Sequence, residues 1–209
     1  MSREDWFRNI SWDADIEAAF YKKLSRARDK SQYLRIQAHM IADKYPAAAL
    51  QLLQQYFLLG NKFDNARAYD DQATAYLALG NIEAAITAYE ASLARQAEFP
   101  QLRTQSYLWL PLLIVTRSLK ARFDQAMSIL EANRDQAMFP VDRFHWNALR
   151  AIILTESGDA LRALDAANAA LSAAAEVHSG FHKHPTIGLV GERQETLFAR
   201  VSAIAGKLN

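Results

Sequence analysis

Apolar residues recur along this chain at steps of three and four positions, which is the period of an amphipathic helix. After Ser11 or Asp13, either of which can cap the first helix, Ile16, Phe20 and Leu24 fall on one side of a helix. Glycine, proline and capping Ser, Asp or Asn residues separate these apolar stretches. The pattern predicts about ten helices with short links, which begin near or after Asp13, Ser31, Pro46, Asp64, Asn81, Pro100, Phe123, Pro140, Asp159 and Glu192.

The composition favours an all-α fold. The 209 residues include 38 Ala and 25 Leu, which are strong helix formers, but only 5 Val. Hydrophobic residues make up 51% of the chain, which is enough for a core. Only the link over residues 178–191 is long, and no polar linker divides the sequence. We therefore expect one continuous domain over residues 1–209.

Charge and cysteine content argue against several classes of function. Lys and Arg number 24 against 23 Asp and Glu, which argues against a dedicated nucleic-acid or membrane-surface binder. Without Cys, disulfides and thiolate chemistry are excluded. The most apolar stretch, residues 107–115, is far shorter than the roughly 20 residues of a membrane helix, and the acidic N-terminal segment is unlike a signal peptide. We expect a soluble, cytoplasmic protein.

A repeat occurs in the second helix of each predicted pair. Its clearest copy is residues 79–93, and the other copies repeat parts of it. The copies share a small residue at intervals of 36, 41 and 37 positions, namely Ala49, Ala85, Ala126 and Ala163. Because a small residue lets two helices cross closely, this spacing predicts stacked helical hairpins.

This pattern resembles the tetratricopeptide repeat (TPR), most closely over residues 66–99. There the family's large, small and glycine positions are occupied by Tyr69, Ala73, Tyr76, Gly80, Ala85, Tyr89 and Ser92. The last copy keeps Gly158 but has Ala167 where the family has a large residue. The first and third copies have Lys44 and Ala121 in place of the glycine. The chain is thus similar to small stand-alone TPR proteins of bacterial type.

The resemblance implies a right-handed α-solenoid of antiparallel helical hairpins, that is, a TPR-like superhelix. Its expected parts are an N-terminal capping helix (1–30), about four degenerate hairpins (31–177), a His-containing loop (178–191) and a C-terminal capping helix (192–209). In this family the first helices of the hairpins line a concave groove that binds peptides, helices or whole domains. Catalysis is rare.

The same resemblance points to a partner-binding surface on the first helices. The residues expected there are Arg67, Asp70, Thr74, Tyr107, Trp109 and His145. A charged pair flanked by aromatic residues is typical of an interaction hot spot. For Tyr107 and Trp109, core packing is the alternative. The family's clamp for a peptide carboxylate is not expected, because Asp70 has the wrong charge for it.

Two further segments have candidate chemistry. In the loop, we predict that His178, Phe181, His182 and His184 contact a partner, with a purely structural loop as the alternative. Two His spaced by one residue can bind a metal, but no acidic residue lies between them, so we expect no metal and no cofactor. Near the N-terminus, residues 6–12 contain two Trp and a Phe, which we interpret as a cover for the first helices or as an exposed hot spot.

No phosphate-binding loop, nucleophile elbow or zinc-protease motif occurs in the sequence. The leading hypothesis is a non-enzymatic module that binds another protein or a peptide in the groove, as a monomer or dimer. An immunity- or antitoxin-type inhibitor is a narrower form of it. A homo-oligomeric scaffold is the alternative, and an enzyme with an unrecognised site is the least favoured.

Overall fold

The structure is a computed structural model that describes residues 5–60 and 63–207. Over these ranges the chain folds into ten α-helices and contains no β-strand, so the prediction of an all-α protein with about ten helices is confirmed. The chain forms two compact units, Met1–Ser106 and Tyr107–Asn209. No described helix combines the length and the apolar character that crossing a membrane requires.

The first unit contains five helices that pack in sequence order. They are α1 (Ala14–Leu24), α2 (Lys30–Ile41), α3 (Pro46–Leu58), α4 (Asn65–Ala78) and α5 (Ile82–Glu98). Helices α2 and α3 pack together, as do α4 and α5, and α3 also packs on α4. Helices α2 and α4 touch as well, which brings the first helices of two successive pairs side by side.

The aromatic segment before α1 covers the core of the first unit. Trp6 packs on Phe20 and Tyr33, with ring centroids 5.4 and 4.9 Å apart. The Asn9 side chain donates to Gln37 Oε1 at 2.8 Å, and Gln37 returns a hydrogen bond to the Asn9 carbonyl at 2.9 Å. Gln37 is fully buried, so these bonds satisfy a polar group that would otherwise destabilise the core. The interpretation of residues 6–12 as a cover is confirmed.

The second unit holds the remaining helices. They are α6 (Ser106–Thr116), which begins at the boundary residue, α7 (Phe123–Ala132), α8 (Pro140–Glu156), α9 (Ala160–Ala174) and α10 (Glu195–Lys207). Helix α8 packs on α7 and most extensively on α9, and α10 packs against both α8 and α9. On α10, Leu197 and Val201 are buried and Ile204 is partly buried.

The repeat residues lie where the pattern predicts them. The small residues Ala49, Ala85, Ala126 and Ala163 all have no exposed surface. The large residues four positions on, Leu53, Tyr89 and Leu130, are buried too. The small and large positions of the repeat therefore lie in the core of both units.

Two hairpin turns use the same backbone geometry. Gly80 and Gly158 follow α4 and α8 with φ of 74° and 81°, a left-handed conformation that side chains disfavour. In both turns the next residue, Asn81 or Asp159, then caps the following helix by accepting a bond from a backbone N–H three residues on. These two caps were predicted from the sequence and are confirmed.

Two local predictions are wrong. The N-cap of α2 is Asp29, whose carboxylate accepts from the Gln32 N–H at 3.1 Å, while Ser31 lies inside the helix. After α6, the residue in left-handed conformation is Ser118, with φ of 52°, and not Ala121. Ala121 belongs to a short 3₁₀ turn that precedes α7, so the glycine-equivalent position falls three residues earlier than the repeat spacing indicates.

Candidate functional site

Asp70 on α4, which the sequence assigns to the groove, is instead held by polar groups of its own unit. The Ser106 hydroxyl donates a hydrogen bond to Asp70 Oδ1. Thr104 extends the network, because its hydroxyl donates to Ser106 Oγ at 3.1 Å and accepts from Gln96 Nε2 at 2.9 Å. Burial raises the Asp70 pKa to about 6, although hydrogen bonds from Ser106, Ser92 and Thr104 act in the opposite direction. Asp70 is thus half-buried and hydrogen-bonded within its own unit, and its contact with a partner stays a prediction.

Arg67 and Thr74 are the other residues predicted on α4, and both are exposed. One guanidinium nitrogen of Arg67 lies 3.4 Å from Asp64 Oδ1, a weak surface ion pair. The Thr74 hydroxyl donates to the Asp70 carbonyl at 3.1 Å, one helical turn back. Both side chains are accessible to a partner, and their role in binding stays a prediction.

A charge cluster joins α2 to α4, and the sequence did not point to it. Arg35 on α2 places Nη1 3.3 Å from Asp71 Oδ2 and Nε 3.5 Å from Asp64 Oδ2. His39, one turn further along α2, has Nδ1 at 2.7 Å from Asp71 Oδ1. We call Arg35, His39, Asp64 and Asp71 the α2–α4 charge cluster. It ties together the two helices on which a groove surface was expected.

Burial differs sharply within this cluster. Asp71 is 6% exposed, whereas the His39 side chain is 63% exposed. The hydrogen bond to Asp71 raises the His39 pKa above its usual value, against the opposing effect of burial. His39 therefore offers its outer edge to solvent, and Asp71 favours the protonated form of its ring.

In the second unit, two of the predicted binding residues are buried. Tyr107 is 2% exposed, and its hydroxyl donates to the Gln136 carbonyl at 3.0 Å. His145 is 6% exposed, and burial lowers its pKa. Neither presents a surface to a partner, so both assignments are corrected: Tyr107 follows the core-packing alternative. Trp109 remains 38% exposed, with its ring set edge-on to His145 at 5.7 Å.

The loop that precedes α10 is closed by its own hydrogen bonds. The Ser179 hydroxyl donates to the His184 carbonyl at 2.7 Å, and the His178 ring accepts from the Gly180 N–H at 3.0 Å. His178, His182 and His184 are all exposed. In the described part of the chain, no three His, Asp or Glu side chains gather as a metal site would require. These His positions remain candidates for partner contact.

The loop is also fixed to the start of α8. Phe181 stacks on Phe139, the residue before α8, at 5.2 Å between ring centroids. The Gly188 carbonyl accepts from the Val141 N–H at 2.8 Å. A Cβ atom at Gly188 would lie 2.6 Å from the Phe139 side chain, so only glycine fits this close approach.

An apolar groove opens in the first unit, where the end of α1, the start of α2 and the end of α3 meet. We call it the α1–α3 groove. It encloses about 390 Å³ and is lined by Tyr21, Leu24, Ser25, Lys30, Leu34, Gln55, Leu58 and Leu59. Leu58 and Leu59 are 80% and 51% exposed, although both belong to a residue type that proteins usually bury.

A second groove of about 330 Å³ lies in the other unit, between α8, the start of α9 and α10. Its apolar lining comes from Ile152, Ala160, Ala203 and Ile204, and its rim carries both signs of charge. The rim acid is Glu156, which is bound by Lys120 at 2.5 Å.

Together these features define an all-helical protein of adjacent helix pairs, with an apolar groove in each unit. Comparison with models of protein families, with curated proteins and with solved structures found no match to this chain.

Proposed function

We propose that this chain is a non-enzymatic protein-binding module of the TPR type, which takes up a partner protein or peptide on its helical surfaces. The observation that carries the proposal is the pair Leu58 and Leu59, exposed side by side at the edge of the α1–α3 groove. Burying a leucine side chain contributes roughly 1.5–3 kcal/mol, so a partner that covers both leucines gains binding free energy from them.

The arrangement of α2 and α4 supports the TPR assignment. These are the first helices of two successive pairs, and they contact one another through the α2–α4 charge cluster. The small residues Ala49 and Ala85 and the turn at Gly80 occupy positions that the repeat pattern requires. In a module of this type, exposed Arg67, Thr74 and His39 would add polar contacts beside the apolar ones.

The narrower form of the proposal is an immunity- or antitoxin-type inhibitor that acts in the cytoplasm. The lack of a recognised catalytic motif in the sequence suits this role. Coexpression with the product of a neighbouring gene tests it. Restored growth of cells that carry a toxic neighbour would support the inhibitor role, and unchanged toxicity with every neighbour would contradict it.

Affinity capture from the native host, combined with light scattering, tests the general proposal. We expect a partner that binds the wild-type chain saturably and is lost on substitution of one exposed site, among Leu58→Asp, Arg67→Ala, Trp109→Ala and Phe181→Ala. A purified chain that only self-associates to large, concentration-dependent masses would instead support the homo-oligomeric scaffold. Capture that no surface substitution affects would contradict a specific binding module.

A further inference from the structure

We propose that the α1–α3 groove is the docking site for a helix of the partner that has one apolar face and acidic residues beside it. This inference rests on the proposed function and adds to it the site and the chemistry of the partner. It is based on the shape of the groove, on the charges around it and on the secondary structure of this unit.

The groove has an apolar floor with open apolar edges. Leu24 and Leu34, which line it, are 6% and 2% exposed, so they form a fixed base. Leu58 and Leu59 border the same space and are largely exposed. A volume of about 390 Å³ lies in the range of pockets that bind small ligands, so the groove has room for a few apolar side chains. The groove can thus receive the anchor residues of one helix face.

The segment that joins α1 to α2, which contributes Leu24, Ser25 and Lys30 to the groove, is strongly basic. Between residues 22 and 30 there are five basic residues and one acid, a net charge of +4, whereas the whole chain carries +1. The basic residues are Lys22, Lys23, Arg26, Arg28 and Lys30, and all are exposed. The one acid, Asp29, already accepts from the Gln32 N–H and from the Ser31 hydroxyl. No ion pair neutralises these five cations within the described residues.

Helix stability explains only part of this charge. Lys22 and Lys23 lie in the last turn of α1, where cations are favourable for the helix dipole. Lys30 is the first residue of α2, where the dipole makes a cation unfavourable. Lys30 also lines the groove, so its charge lies beside any ligand bound there. An acidic partner is the complement of this rim.

A helix is the form of partner that fits best. The described residues contain no strand, so a peptide cannot add to a sheet edge here. An amphipathic helix presents apolar side chains at every third or fourth position to a groove and carries its acids on the flanks. An anionic membrane would also attract the basic residues, but a flat bilayer does not reach a floor formed by Leu24 and Leu34.

Selection from a peptide library tests the proposal with the full-length chain. The library consists of helical peptides of about 15 residues in which the apolar stripe and its flanking positions are randomised. We expect the enriched peptides to carry Leu, Ile or Phe on the stripe and Asp or Glu beside it. A selection that enriches neutral or basic flanks, or that enriches nothing, would overturn the proposal.

The best selected peptide is then labelled and its dissociation constant is measured by fluorescence anisotropy. Leu58→Asp should weaken it by about tenfold or more, while Leu161→Asp, which alters a similarly exposed leucine in the second unit, should leave it unchanged. Lys30→Glu should weaken binding most at low salt, whereas Lys183→Glu in the exposed loop should not. Circular dichroism melts confirm that each variant is folded.

Two outcomes distinguish failure of the groove proposal from failure of the proposed protein-binding function. Equal binding by Leu58→Asp and wild type would remove the groove as the site, and a host partner still lost on Arg67→Ala or Phe181→Ala would leave the protein-binding function standing. Vesicles of phosphatidylserine and phosphatidylcholine provide the membrane comparison. Binding to vesicles that Leu58→Asp does not affect, without peptide binding, would overturn the proposal in favour of a membrane surface.

Discussion

The Nδ1 atom of His39 lies 2.7 Å from Oδ1 of Asp71, which links α2 to α4 across 32 positions of sequence. Because this contact raises the His39 pKa, protonated His39 stabilises the folded state. The stabilisation is fully present below the unfolded pKa of about 6.5 and is lost as pH rises through the raised folded value. This contact should therefore contribute more to the stability of the first unit in mild acid than at alkaline pH.

His39→Gln tests this by urea unfolding at about pH 5.5 and about pH 8.5. We expect the substitution to cost more at the lower pH, by less than about 1 kcal/mol, because the His39 side chain is mostly exposed. His178→Gln is the matched control, since the Nδ1 atom of that ring accepts from the Gly180 N–H. An equal loss at both pH values would show that the contact is not charge-dependent.

Asp70→Asn should stabilise the protein above about pH 6 and lose this advantage near pH 4. The folded pKa of Asp70 is raised to about 6 by burial, so the ionised carboxylate costs stability at neutral pH, by about 1–3 kcal/mol. That cost begins to fall as pH drops through the folded pKa and is gone below the unfolded pKa of about 3.9, where the carboxyl is neutral in both states. Denaturation midpoints across this pH range provide the measurement. A gain in stability that persists unchanged at low pH would contradict the raised pKa of Asp70.

Ser118→Gly should stabilise the second unit by about 0.5–1 kcal/mol. Ser118 is held at a φ of 52°, which costs a residue with a side chain more than it costs glycine. Ala121→Gly is the control, because the repeat alignment puts the glycine there but the structure has a 3₁₀ turn. A higher melting temperature for Ala121→Gly than for Ser118→Gly would instead support the glycine position that the repeat alignment gives.

Tyr89→Ala should cost about 2–4 kcal/mol, because Tyr89 is 5% exposed beside fully buried Ala85. Ala85→Trp should cost more, since the helices cannot separate to admit the ring. Tyr45→Ala, at a 36% exposed position, should change stability little. Unchanged melting temperatures for both core variants would contradict the repeat assignment.

The His178, His182 and His184 segment should bind Zn²⁺ no more tightly than about micromolar affinity, since neither a carboxylate nor a thiolate accompanies the rings. Titration calorimetry measures this. One tight site that is lost on both His182→Ala and His184→Ala would contradict the expectation and would favour a catalytic role.

Local chemistry explains which structural features the sequence revealed. The caps at Asn81 and Asp159 and the turns at Gly80 and Gly158 depend on neighbours within a few residues, so their positions could be predicted. The Ser118 turn could not, because alignment on Ala126 hides a three-residue 3₁₀ insertion.

Candidate site residues were harder to predict because their surroundings come from distant segments. Asp70 is held by Ser106, which lies 36 positions away, and nothing in its own helix distinguishes it from an exposed acid. The pairing of Arg35 with Asp71 is equally remote. The basic run at residues 22–30 was visible in the sequence, but its meaning depends on Leu58 and Leu59, which only the fold brings near Lys30.

The stacking of Phe181 on Phe139 attaches the His-containing loop to the start of α8. Phe139 directly precedes that helix, and its N–H donates to the Asp142 carboxylate at 3.2 Å. Gly188 packs so closely against the Phe139 side chain that no Cβ atom fits between them. A partner that pulls Phe181 outward would therefore transmit that force to the first turn of α8. Stronger binding of a partner to the loop should then be accompanied by more opening of the first turn of α8. The hydrogen-exchange rates of the Val141 and Asp142 amides would measure this opening.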